Sequence, residues 1–527
     1  MTPSRWGWII FAIALLLALV QIHTLALNHD VAYFLLEARA LANGRVLYQT
    51  FADFNMPANA WLGLFSLHIA QLLGITLATA HQAVLFACVA ACAGLFGWIV
   101  QHVAQGKGTV TLIAPGLAAV TLLILPGYHF GQREVLLVAG AAPWVVVLAG
   151  RQLGWRPSRL LSFVVSVLCA ASASLKPHFL VLGAGVVALD LLMNRGRLSR
   201  EVWIFTALTA LNLGAIAWMY PVYYSEVLPA AMRTYAMKGH SVVGLWLGTD
   251  RLFAKLSLLL YCAGIGIHWF TLGRERRRQR LEVAAAGLGL LGMAWFMFLV
   301  QGQGFAYHLE VLIGAATLAN GLWLATAWDQ LPPLAAAGGR RLRPLLIGLA
   351  MVFVSGGLWH RFAANDGPHA YAVRTDPLTQ ALRDAGPRSK VLALQTGVPP
   401  FSLVHAYANF HWTGAFGCLI EMRAIVDDRS QAARAGVPRD PALVHAEARL
   451  RELALLSLTD PAPDLVFVDV SQPLRWFETF PERMRILDFL IEDPQFAEAW
   501  GRYEKFTSFT SYKRFPMVVY RLRGAGS

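Results

Sequence analysis

The sequence predicts a polytopic α-helical membrane protein that carries a C-terminal water-soluble α/β domain. Three observations predict it. Of the 527 residues, 57% are hydrophobic and 14% charged, with a mean hydropathy of +0.51. Soluble globular chains are about a quarter charged, so this excess of apolar material needs a solvent other than water. Apolar runs of helical length recur at 8–27, 60–77, 80–103, 109–126, 134–150, 159–174, 178–194, 202–220, 251–272, 282–300, 306–328 and 345–360. A bilayer core takes about 20 such residues per helix. After Arg361 the character changes: charged residues become frequent, apolar runs shorten and Pro is scattered. The division expected is therefore 1–360 in the membrane and 361–527 as one compact soluble domain.

The first run follows a single Arg and ends without a small-residue cleavage site, which reads as an uncleaved first span. Later loops alternate in charge. Arg151–Arg156, Arg195–Arg200, Arg274–Arg280 and Arg340–Arg343 are basic, whereas 127–133, 175–178, 221–250 and 301–305 are poor in Arg and Lys. The positive-inside rule places the first set in the cytoplasm and the second outside. Pro57, Asn59, His68 and Gln71 make 60–77 the least lipid-like run, so it is expected to be re-entrant or peripheral. That leaves about 11 spanning helices, a cytoplasmic N-terminus and an extracytoplasmic C-terminal domain.

The net charge of +13 comes from residues lying between apolar runs, which set orientation and do not point to nucleic acid. Cys88, Cys92, Cys169 and Cys262 sit inside apolar runs. Cys418 alone falls in the soluble part, which excludes an internal disulfide framework there. In the soluble part, Lys390–Leu394, Leu465–Val470 and Met517–Leu522 read as strands, the first two buried, with a helix over 441–458. This pattern gives the α/β layer arrangement.

Chemistry concentrates where the first span leaves the membrane, in Asn28–Leu62. Asp30 suits the N-cap of a helix over 31–42 that Gly44 closes. Phe34, Leu35, Ala38 and Leu41 form an apolar stripe, which predicts a helix lying along the membrane surface. Asp30 and Asp53 then stand at the outer interface. One reading makes them a cap and a solvated turn residue; the other makes a carboxylate there the base that deprotonates an acceptor hydroxyl. Basic and polar residues recur at the outer ends of later spans: His129, Arg133 and Glu134; Lys176 and His178; Arg233, Lys238 and His240; Gln301, Gln303, Tyr307, His308 and Glu310. Each alone suits an interface anchor. Their recurrence on one side suits a phosphate held at the lipid surface.

In this order of features the sequence resembles the GT-C membrane glycosyltransferases, in the branch of the protein mannosyltransferases and aminoarabinose transferases. The branch pattern after the first span is met by Asp30, Tyr33, Ala38, Leu41 and Gly44, with Tyr48 one residue late. Asp53 and Asn55-Met56-Pro57 follow, then Arg133-Glu134 and Lys176-Pro177 at later spans, and the aromatic pair Tyr307-His308. The likeness runs over about 1–330. It departs at Thr50, where Asp is usual, at Met56, where a second Pro is usual, and at Lys176-Pro177-His178, which lacks a Gly.

The resemblance implies a sugar donor on polyprenyl phosphate and a hydroxyl acceptor in a cell-envelope glycan, lipid or protein. It implies an inverting displacement at the outer face of a bacterial plasma (inner) membrane. Asp30 would be the general base, with Asp53 the other catalytic candidate, and Arg133, Lys176 and His308 would hold the leaving phosphate. Tyr33, Asn55, Glu134, His178 and Tyr307 complete the candidate site. No metal ligand set is expected and no cofactor is assigned; some superfamily members use a divalent metal, and no His/Cys cluster here decides the matter. The alternative is a transporter or flippase. It predicts midplane charges and paired broken helices, whereas these ionisable residues fall at span ends and no repeat is present.

Overall fold

The computed structural model describes residues 3–194, 196–236, 306–335, 367–474, 484–511 and 514–524, with the single residues 244, 259 and 299. Apart from the single residues 259 and 299, the expected spans at 251–272, 282–300 and 345–360 lie outside the described residues. The chain divides into two compact units: Met1–Leu25, Leu85–Ala215 and Gly239–Gly367 form the first, and Ala26–Val84, Ile216–Lys238 and Pro368–Ser527 the second.

The first unit is helical. Its helices are α1 (Pro3–Thr24), α4 (Leu77–Val103, from Leu85 onward), α5 (Thr109–Ala119), α6 (Arg133–Gln152), α7 (Arg159–Ala173), α8 (Phe179–Met193), α9 (Arg200–Met219, as far as Ala215) and α11 (Glu310–Ala335). The bounds of α6, α7, α8 and α9 follow the apolar runs within two residues, whereas α1 begins five residues before its run and α11 ends seven after its run. Segments Arg5–Thr24, Leu77–Val103, Arg133–Gln152, Arg200–Met219 and Tyr307–Ala325 are long and apolar enough to cross a membrane. Shorter apolar helices occupy 109–124, 159–173 and 179–192. Small residues let the backbones approach, as membrane helix packing requires. A Cβ on Gly7 of α1 would meet the Leu112 carbonyl of α5 at 2.4 Å, and one on Gly140 of α6 would meet Ser172 Oγ of α7 at 2.5 Å. Pro115 sits inside α5, which passes into a wide turn over Val120–Ile124.

The second unit combines α2 (His29–Ala42), α3 (Pro57–Leu73), α10 (Leu228–Ala236) and the C-terminal segment. That segment adds helices α12 (Pro377–Ala385), α13 (Met422–Ala435), α14 (Pro441–Thr459), α15 (Ile486–Ile491) and α16 (Pro494–Trp500). Its strands are β1 (Lys390–Leu394), β2 (His411–Trp412), β3 (Leu465–Asp469), β4 (Tyr503–Ser511) and β5 (Phe515–Leu522). They form one sheet in the order β2-β1-β3-β5-β4. β1 runs parallel to β2 and β3, while β5 is antiparallel to both β3 and β4.

The expected strands and the expected helix near 441–458 are all present; β2 and β4 are additional. β1 and β3 are apolar over 391–394 and 465–468 because both faces are covered, and Leu392, Leu394, Val466 and Val468 meet Ile425, Leu453, Leu458 and Phe489 in the core. Three Asp-Pro pairs start helices here. Asp376, Asp440 and Asp493 accept hydrogen bonds from backbone amides of the first turn, and the following Pro occupies N1, where no amide is needed.

Helix α2 corrects two expectations. Its cap is Asn28, whose side chain accepts from the Asp30 amide at 2.9 Å, so Asp30 lies inside the first turn. Asn28 wins because it stands two residues before the amide it satisfies, and the Asp30 carboxylate lies in the first turn, where its charge complements the helix dipole. Nor does α2 lie on a surface along its apolar stripe: every residue from Val31 to Ala40 is buried, Glu37 and Arg39 included. The C-terminal segment covers its polar face. Arg39 donates to the carbonyls of His405, Ala408 and Phe410, and its guanidinium lies over the Phe410 ring. His405 donates through Nε2 to the Ala32 carbonyl at 2.8 Å.

Candidate active site

The acidic loop is built within the second unit. Gly44 follows α2 with φ +85° and turns the chain away from it. The chain then makes a tight turn in which the Tyr48 amide donates to the Phe51 carbonyl, with Tyr48 in the left-handed region at φ 66°. A non-glycine residue holds that conformation only where its surroundings fix it. Here the Tyr48 side chain is buried, it packs on Tyr220 and Tyr223 with ring centroids 5.5 and 5.1 Å away, and its hydroxyl donates to the Asn55 carbonyl. Burial, together with the charges of Asp53 and Glu37, pushes the Tyr48 phenol far above its ordinary range and keeps it a donor.

Asp53 is buried rather than solvated, 8% exposed. Its Oδ1 accepts from the Tyr33 hydroxyl at 3.3 Å and from Asn55 Nδ2 at 2.9 Å, and its Oδ2 accepts from the Asn55 amide at 2.8 Å. This turn delivers the chain to Pro57, the N1 residue of α3. Asp30 differs: it is partly exposed, and its Oδ1 lies 3.6 Å from His29 Nε2. The residues the sequence singled out in this loop thus fall into a fixed trio, Tyr33, Asp53 and Asn55, and a more open carboxylate, Asp30.

The cationic candidates come together within the first unit. Glu134, in the first turn of α6, is fully buried and ion-paired with buried Lys176. His308 Nε2 lies 4.0 Å from the same carboxylate. Lys176 Nζ also sits 5.2 Å from the centre of the Tyr307 ring, which stands edge-on to His308 at 4.5 Å. Arg133 is buried beside this group, and the charges of Arg133 and Lys176 both act on His308 and on half-buried His178. His129 faces Tyr307 at 6.4 Å, and Glu310 is buried within the electrostatic reach of Glu134. Residues more than 100 positions apart are gathered at one place, the N-terminal end of α6 and the segment that opens α11. Of the remaining polar candidates, Arg233 is exposed, and Lys238, His240, Gln301 and Gln303 lie outside the described residues. Among the described residues no three His, Cys, Asp or Glu side chains are placed to hold a metal ion.

Sequence reading missed several residues that build the loop: Asn28, Arg39, Arg45 and Arg449. Arg45 donates to the carbonyls of Thr413 and Asp460, and Arg449 to that of Tyr48. The partners of Arg39, Arg45 and Arg449 lie hundreds of positions away, so no local pattern announces them.

No family model matches the sequence, and no curated protein matches it. Solved structures do. The crystal structure of ArnT from Cupriavidus metallidurans bound to undecaprenyl phosphate aligns over 99% of this chain and 99% of that one, with a TM-score of 0.55 at 12% identity. The mycobacterial arabinofuranosyltransferase AftD aligns over 98% of this chain and 41% of its own, with a TM-score of 0.46 at 16% identity. The Archaeoglobus fulgidus oligosaccharyltransferase aligns over 97% and 74%, with a TM-score of 0.47 at 12% identity. The chain has a GT-C-like fold, as the sequence resemblance implied, and the full-length likeness to ArnT carries that statement.

Proposed function

We propose that this protein is a membrane glycosyltransferase that moves a sugar from a polyprenyl phosphate to a hydroxyl acceptor at the outer face of a bacterial plasma membrane. The observation that carries the reading is the buried group of Arg133, Lys176 and His308 in a fold shared end to end with a protein bound to undecaprenyl phosphate. Buried cations are costly unless partnered, and here Lys176 is paired with Glu134, with the His308 ring 4.0 Å from the same carboxylate. A lipid phosphate offers them a second anion.

In the reaction, the acceptor oxygen forms a bond to the anomeric carbon while the bond from that carbon to the phosphate oxygen breaks. The polyprenyl phosphate leaves with the electron pair, and the configuration inverts. Arg133 and Lys176 bind the departing phosphate, and fixed donors aimed at developing negative charge act most strongly where water is excluded. His308, Tyr307 and His178 shape the surroundings of Lys176, and Glu134 holds its ammonium in place until phosphate takes over as partner. The acceptor proton goes to Asp30. Between the two carboxylates Asp30 suits this role better, because Asp53 already accepts three hydrogen bonds from Tyr33 and Asn55 and serves to fix the loop. No observation favours the transporter reading.

The test is transfer from radiolabelled polyprenyl-phosphate mannose and polyprenyl-phosphate aminoarabinose in washed membranes containing endogenous acceptor. Wild type should transfer one of them. Asp30→Asn should insert normally, keep its thermal midpoint and lose about 10²–10⁴ in rate. The side chain of Asp30 does not cap α2, so Asn there disturbs the helix little. Near wild-type transfer by Asp30→Asn would pass the base to Asp53.

A further inference from the structure

The acidic loop leans on one helix of the C-terminal segment. Arg449, near the middle of α14, donates to the Tyr48 carbonyl and lies 3.4 Å from Glu226. Two turns further along α14, Ser457 Oγ accepts from the Ala415 amide at 2.8 Å, and the Ala415 carbonyl accepts from the Ala52 amide at 2.7 Å. Just past the helix, the Asp460 carbonyl accepts from Arg45. Residues 449 and 457 are eight apart and share a helix face. That face therefore holds the loop at Tyr48 directly and at Ala52 through Ala415, and the helix end holds it at Arg45.

From Tyr48 the connection runs on toward the proposed base: its hydroxyl donates to the Asn55 carbonyl, Asn55 donates twice to Asp53, and Asp53 accepts from Tyr33, which stands one turn along α2 from Asp30. The opposite side of α14 is tied into the domain. Glu447 is paired with Arg429, Arg439 and Arg451, so the helix is anchored independently of the loop.

We propose that α14 is the strut that sets the acidic loop in its working conformation, with Arg449 as a positioning residue for sugar transfer. This gives the C-terminal segment a task inside the reaction rather than beside it. It rests on the reading of 28–60 as the catalytic loop. Tyr48 is the point where a strut matters, since its left-handed backbone turn must be held by its surroundings. Without Arg449 the Tyr48 carbonyl loses a charged donor, and the turn relaxes toward ordinary backbone. A shift of about 1 Å in a catalytic group costs on the order of 10²-fold in rate.

The experiment combines exchange and kinetics on the full-length protein. Hydrogen–deuterium exchange in detergent reads the loop without reference to function, and the membrane assay with the same two polyprenyl-phosphate sugars reads transfer. In Arg449→Ala, peptides covering 45–55 should exchange about tenfold faster while those covering β1 and β3 stay protected. Its kcat should fall about 10²-fold, with the donor KM within about twofold. Arg449→Lys, which keeps a charged donor, should recover the protection and most of the rate. Arg521→Ala removes a surface pair with Glu504 and should change neither. If Arg449→Ala fails to insert, Arg449→Gln is read by the same two measurements.

Unchanged exchange over 45–55 overturns the strut. Faster exchange with unchanged kcat overturns the link to transfer. If wild type transfers neither sugar, the glycosyltransferase reading fails separately, and the exchange data still decide whether α14 holds the loop.

Discussion

Helix α6 engages a buried carboxylate at each end, and the two ends are finished differently. At its C-terminal end Arg151 donates twice to Glu201, at 3.1 and 2.9 Å, Ser162 Oγ donates at 2.5 Å, and Arg200 lies 3.6 Å away. Both oxygens of Glu201 are thereby satisfied, and Glu201 is fully buried. At the N-terminal end Glu134 is equally buried, but its Oε1 takes Lys176 and the neighbouring His308 while its Oε2 accepts no hydrogen bond among the described residues. A buried carboxylate gains its footing only when its lone pairs are met, and one left short costs about 1–3 kcal/mol or more. The chain therefore completes a network where the pair serves the scaffold. It leaves one incomplete where, on the proposed reading, a phosphate exchanges partners with Lys176.

Substitution at each end should break the comparison or sharpen it. The larger effect belongs to the N-terminal end. Lys176→Gln should lower transfer from polyprenyl-phosphate sugars by about 10²–10³, as loss of an oxyanion-type donor does. It should also weaken the fold, because Glu134 is then a buried anion without its ammonium. The double substitution Lys176→Gln with Glu134→Gln removes both charges. It should recover the thermal midpoint and leave transfer depressed; recovery of transfer as well would make this pair a scaffold pair like the other. At the C-terminal end, Arg151→Ala should cost about 3 kcal/mol of stability, the low side for a broken buried pair because Ser162 and Arg200 remain. Its kcat, measured on the protein that still folds, should stay within about twofold of wild type. A large kcat loss would show that the finished network also serves the reaction.

These contrasts also show how far the sequence was legible. Apolar runs translate directly into helices, so α6, α7, α8 and α9 begin and end within two residues of expectation. The strands 390–394 and 465–469 were equally plain, since a sheet covered on both faces needs an unbroken apolar run. Strand β4 was not, because Tyr503–Ser511 is mostly exposed and polar and, among the described strands, pairs only with β5. The Arg133-Glu134, Lys176 and Tyr307-His308 pieces were visible as charges at span ends, yet only the fold brings Glu134 to Lys176. The environment of α2 was misread because its stripe of Phe34, Leu35, Ala38 and Leu41 resembles that of an interfacial helix. What covers the other face is a set of carbonyls at 405, 408 and 410 that bond Arg39, and a carbonyl leaves no mark in sequence. The Asn28 cap was hidden by Asp30, an equally good capping residue two positions on.

The smallest effect belongs to the C-terminal segment and measures the cost of burying a carboxylate. Glu421 precedes α13, where burial pushes its carboxyl up to about 7 while Arg449 pulls it down. Its unfolded-state value is the ordinary 4.5. The folded protein thus holds a proton that the unfolded chain has already lost between pH 4.5 and 7. Stability from this group is complete below pH 4.5, declines as pH rises through that window and is gone above about 7. Glu421→Gln keeps the size and removes the titration. Wild type should therefore lose about 2–3 kcal/mol relative to Glu421→Gln between pH 5 and pH 8, read as diverging thermal midpoints of the purified protein in detergent. Parallel midpoints across that range would mean that Arg449 already neutralises Glu421. Midpoints that diverge in the opposite sense would mean that Glu421 is stabilised as the anion, and that the C-terminal segment, like the Glu201 end of α6, leaves no carboxylate short of partners.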